Sequence, residues 1–85
     1  SVSEPVVEQA PQGTISVGRK VKEAIIAEPA LSSFTRMTIG VSSADGTVVL
    51  RGHVMDSQEK NLILNIADQI AGFGNVDDQL KVMGE

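Results

Sequence analysis

Eighty-five residues with a net charge of −4 allow one small domain and a tail, and a core of that size covers only about 60% of the surface its unfolded chain exposes. The shortage of Lys and Arg excludes a general nucleic-acid binder, which needs a cationic surplus to neutralise phosphates, and zero cysteines exclude disulfides and thiolate metal sites. No apolar run approaches the roughly 20 residues that cross a bilayer as a helix, and with only Phe34 and Phe73 as aromatics the core must be aliphatic.

Ser1 to Gly13 holds Pro5, Pro11, Gln9 and Gln12 without a sustained period, which reads as a flexible linker. A chain that opens on Ser with no visible signal sequence is what a piece cut from a longer protein would look like. The domain is expected to occupy 14–83, with a tail at 84–85. Thr14 or Ser16 can cap a first helix, in which Val17, Val21, Ala24 and Ile25 form the buried stripe; Pro29 then stops it. Arg19 and Lys22 share another face with Ile15 and Ile26, and Lys20 adds to the positive charge of this helix.

Ala30 to Arg36 shows no period and reads as a connection, with Leu31 and Phe34 covering one edge of the core. From Met37 to Met55 the period falls to two: Ile39 and Val41, then Val48, Leu50 and Val54, make one apolar row on a hairpin turned at Asp45-Gly46. Gly52 interrupts that row, so something must come close there, either a crossing element or a bulge. Asp56-Ser57-Gln58-Glu59 fits a capping box ahead of a second helix, whose stripe is Leu62, Ile63, Ile66, Ala67 and Ile70 and whose C-cap is Gly72. Val76, Leu80 and Val82 alternate in a third strand. A strand, a helix and a strand normally form a right-handed crossover, so the third strand should run parallel to the second, which takes the middle of the sheet. The expected class is α+β: a small αββαβ domain with two helices on one face of a three-stranded mixed sheet.

This pattern resembles the BON domain, the bacterial module named for osmotically inducible and nodulation proteins. The resemblance runs through Val21-Lys-Glu-Ala-Ile, Ile39-Gly-Val, Asp45-Gly-Thr-Val-Val-Leu-Arg-Gly-His-Val, Glu59-Lys60 ahead of Ile66-Ala67, and Gly72-Phe-Gly-Asn-Val-Asp-Asp-Gln-Leu-Lys-Val. Leu62 and Leu64 make the second helix more apolar than is usual in the family, and Phe73 stands where an aliphatic residue is common. What the resemblance implies is a noncatalytic envelope module, periplasmic or outer-membrane associated, that binds phospholipid or supports envelope integrity. Some relatives sit instead in secretion machinery. The residues that match are structural glycines and core aliphatics, so the resemblance carries over no catalytic residue.

The residues alone agree. His53 is the only histidine and alternates with Val54, away from the core. Asp77 and Asp78 adjoin on a strand and point to opposite faces, unlike carboxylates that share a proton. The serines lack a nucleophile elbow and no glycine-rich stretch carries a phosphate-loop lysine. No catalytic, cofactor-binding or metal site is therefore expected. The expected contact residues toward anionic phospholipid, or toward a membrane-proximal partner, are Arg19, Lys20, Lys22, Ile26 and Arg36; Asp45, Gly46, Gly52 and Gly72 are structural. The alternative is an interaction module that packs against neighbouring domains or copies of itself, as ring-building domains do, with the acidic second half facing a neighbour's basic helix.

Overall fold

A computed structural model describes residues 9–84, and their side chains from residue 17 onward. The elements are α1 (Gln9–Ile26), α2 (Ser33–Thr38), β1 (Gly40–Ala44), β2 (Thr47–Val54), α3 (Ser57–Ala71) and β3 (Val76–Val82). The sheet order is β1-β2-β3, with β1 antiparallel and β3 parallel to the central β2. Sheet order, strand directions and the α+β class are as the sequence implies.

The hairpin closes on two residues because both can take positive φ. Asp45 lies at φ 53° and Gly46 at φ 81°, and Ala44 pairs with Thr47 on either side. No heavy atom lies within 4 Å of a Cβ built on Gly46, so a substitution there meets backbone strain alone. Gly46→Ala should cost about 1 kcal/mol, read as a shift in the urea midpoint by far-UV circular dichroism; an unchanged midpoint would contradict this account of the turn.

The inward row of β2, Val48, Leu50 and Val54, is buried with Leu80 of β3 beneath α1 and α3, which contribute Val21 and Ile25, and Ile63 and Ala67. Leu62, Ile66 and Ile70 pack around that core half-buried. Asp56 caps α3, its side chain accepting from Glu59 N, while Gly72 ends the helix at φ 97°, ψ 147°, positive but outside the left-handed helical region.

Three expectations need correction. The first helix begins at Gln9, so neither Thr14 nor Ser16 caps it and residues 9–13 are helical. Pro11 is the third residue of α1, where an N–H would have no intrahelical acceptor, so proline is tolerated; residues 1–8 of the expected linker lie outside the described residues. Second, the connection after Pro29 contains α2, N-capped by the Ser32 side chain accepting from Thr35 N; it takes in Met37 and Thr38, and the first strand begins only at Gly40. Third, Phe34 does not cover the core: Leu31 and Ile39 are buried at α2 while Phe34 turns outward.

The chain direction sorts the molecule into two ends. The Asp45-Gly46 turn, Phe73 and the start of β3 lie at one. At the other lie the ends of α1, β2 and β3, the start of α3, and α2, whose Thr38 hydroxyl donates to His53 O at 2.9 Å.

Candidate functional site

A helix leaves its last carbonyls without partners, and a cation nearby satisfies them while complementing the helix dipole. α1 and α2 do this for each other. Lys22 of α1 donates Nζ to Ile39 O, just past α2, at 2.6 Å, and Arg36 of α2 donates Nη1 to Ile26 O, the last residue of α1, at 3.3 Å. Two of the expected contact cations are therefore half-buried and tied to backbone, and they meet at Ile26, which is 47% exposed. Arg19 and Lys20 are exposed about two turns back along α1. The Ile15 side chain lies outside the described residues.

Glu59 is the polar centre of this end. Only 9% of it is exposed, and its carboxylate accepts Ser32 N at 2.7 Å, Met55 N at 2.9 Å and the hydroxyl of the fully buried Thr35. Burial pushes the carboxyl pKa up. The Thr35 hydroxyl, the Met55 and Ser32 N–H groups and the Ser32 hydroxyl together outweigh that and hold it below the ordinary glutamate value. The capping-box spacing locates Glu59, but the carboxylate reaches past Asp56 to Met55 and across to α2. It functions as a clasp joining three elements.

Gly52 sits where that clasp closes. At φ 134°, a Cβ there would lie 2.6 Å from Thr38 O and 3.0 Å from Ile39 Cα, so the close neighbour that the row interruption implies is the α2–β1 junction. A second close approach joins α1 to β1, where a Cβ on Gly18 would lie 2.6 Å from Ser43 Oγ, a buried hydroxyl without a hydrogen-bond partner among the described residues.

The open face of the sheet is polar. Arg51 Nε donates to Gln79 Oε1 at 3.0 Å, and Gln79 Nε2 to Asp77 Oδ2 at 2.9 Å. His53 is exposed and pairs in register with Lys81. Asp78 turns to the helix side and meets Lys60 at 3.5 Å. Register places Asp77 opposite Val49, four residues from His53, or about 13 Å along the strand. His53 and the acidic pair are thus not gathered into one cleft. Two shallow recesses, of about 180 Å³ beside Gly40 and Arg51 and about 210 Å³ beside Asp56 and Glu59, are smaller than the roughly 300–1,000 Å³ of ordinary small-molecule sites. What the described surface offers is exposed apolar side chains at the end that carries α2, namely Ile26, Phe34, Met37, Met55 and Met83, with the half-buried Lys22 and Arg36 near Ile26 and the exposed Asp56 after Met55. The methionines escape a reading by periodicity because they are far apart in sequence.

Among the described residues no helix is long and apolar enough to cross a membrane. No curated protein matches the chain. The family profile of the BON domain matches residues 16–84, which takes in all three strands, α2, α3 and α1 from Ser16 onward. With so much of the chain matched, and with the mixed sheet and its helices in the expected order, the chain belongs to the BON domain family.

Proposed function

We propose that this domain is a noncatalytic module of the bacterial envelope that attaches its parent protein to anionic phospholipid. Membership of a family of generally noncatalytic envelope modules supports the reading. The observation that carries it is the exposure of Arg19 and Lys20 on α1, with Ile26 half exposed at the end of the same helix. Cations near an anionic surface contribute about 1 kcal/mol each, and apolar side chains beside them can enter the headgroup boundary. Binding through α1 alone is weak and sensitive to salt.

Sedimentation with vesicles tests this. The domain should pellet with phosphatidylglycerol-containing vesicles and not with phosphatidylcholine alone, and Arg19→Glu with Lys20→Glu should weaken binding about tenfold or more. Lys22 and Arg36 are unsuitable for this test, since their replacement would disturb the α1–α2 junction. Equal pelleting on both vesicle types, or on neither, would remove the reading.

A further inference from the structure

Two cations on α1 are few for holding a domain at a bilayer, since stable attachment generally takes a second signal. The end that carries α2 supplies one. The chain has three methionines, and all of them are exposed there: Met37 is 82% exposed, Met55 49% and Met83 46%. Met55 and Met83 are the first residues beyond the parallel strands β2 and β3. Val54 pairs with Val82, and Met83 N donates to Val54 O at 2.8 Å, so the two methionines stand side by side. Met37 joins them through α2, whose next residue, Thr38, bonds His53 O. A long flexible thioether costs little to bury in an irregular apolar environment.

Immediately behind the methionines on the open face come His53 and its cross-strand partner Lys81, and behind His53 comes Arg51. Among the described residues Arg51 is held by Gln79 through Nε alone, which leaves its terminal nitrogens as donors. Of the described carboxylates nearby, Glu59 is buried in its clasp, Asp56 accepts Glu59 N at 2.9 Å, Glu28 accepts Ala30 N at 3.1 Å, and Asp77, behind Arg51 on the open face, accepts Gln79 Nε2 at 2.9 Å. The order along the sheet is therefore an apolar rim and then a cationic band, on a chain that is acidic as a whole. That is the order of an anionic bilayer read outward, acyl boundary first and phosphates next.

We infer that the domain meets an anionic phospholipid bilayer end-on, with Met37, Met55 and Met83 entering the acyl boundary while Arg51, His53 and Lys81 face the headgroup phosphates. The inference rests on the lipid-binding reading and names its contact surface. α1, with Arg19 and Lys20, then lies toward the headgroups as an auxiliary contact.

Methionine oxidation by dilute peroxide, followed by mass spectrometry, reads this surface without mutation. Phosphatidylglycerol-containing vesicles should slow oxidation of all three methionines at least fivefold, and phosphatidylcholine vesicles should not. The neutral variant M37Q/M55Q/M83Q, with folding checked by circular dichroism, should lose at least tenfold in vesicle affinity, and R51Q/K81Q should lose most of the preference for acidic vesicles. If the wild-type domain pellets with acidic vesicles while its methionines oxidise at the free rate and the triple variant binds normally, this surface is wrong and the lipid reading survives. If the wild-type domain pellets with no vesicle, both fall. Concentration-dependent protection without vesicles, with a dimer mass in light scattering, would make the rim a protein interface and overturn the proposal.

Discussion

Gly52→Ala should destabilise the domain by about 3 kcal/mol, a large part of what a chain of this size can have at roughly 0.1 kcal/mol per residue. Two independent effects combine. The backbone at φ 134° is one that an L side chain rarely adopts, and the added methyl would sit 2.6 Å from Thr38 O and 3.0 Å from Ile39 Cα. Both neighbours are backbone, so no rotamer change relieves the clash. The α2–β1 junction would have to move, and with it the Thr38–His53 and Lys22–Ile39 hydrogen bonds. Gly40→Ala on the neighbouring strand is the control. Its Cβ would meet only Arg51 O at 3.9 Å, ordinary contact, and its cost should stay within about 0.5 kcal/mol. The chain has no Trp or Tyr, so urea unfolding followed by far-UV circular dichroism is the measurement. Equal midpoints for the two alanine variants would show that the approach of α2 to β2 is looser than described.

The same junction marks where the sequence stopped being readable. The Asp45-Gly46 turn, the apolar row of β2, the capped α3 and the parallel β3 could all be inferred because each depends on local chemistry: a residue pair that accepts positive φ, an alternation, a cap, a crossover. The six residues of α2 complete less than two turns, too few for a period of 3.6 to repeat, and Thr38 to Val41 alternate as a strand would. Gln9, Pro11 and Gln12, without a sustained period, give the start of α1 the look of a linker, although proline in a first turn removes no hydrogen bond the helix could have made.

The candidate surface divides in the same way. Arg19 and Lys20 are exposed on α1, as a solvated helix face predicts. That Lys22 and Arg36 would each bond the carbonyl at the other helix's end depends on partners 17 and 10 residues away, which no local pattern encodes. The methionine rim is a product of register, since 37, 55 and 83 share an end only once β2 and β3 are paired and α2 has folded over them.

Glu59→Ala should cost about 3 kcal/mol at pH 7, because it leaves the Ser32 N–H, the Met55 N–H and the buried Thr35 hydroxyl without their acceptor. Glu59→Gln keeps one carbonyl oxygen and presents an NH₂ to groups that are themselves donors, so about 2 kcal/mol is expected. The pH dependence separates a charge effect from lost packing. A carboxyl whose pKa is lower folded than unfolded adds stability that is complete above the unfolded value, about 4.3 for glutamate, and lost as pH falls through the folded value. The gap in urea midpoint between wild type and Glu59→Gln should therefore be widest near pH 7 and shrink below about pH 4.3, because the wild-type carboxyl becomes protonated there and the amide does not titrate. Two curves that stay parallel from pH 7 to pH 3 would show that Glu59 acts through shape alone. Converging curves would show that an ionised carboxylate, nine-tenths buried, holds α2 against the start of α3 and so keeps the apolar end of the domain in one piece.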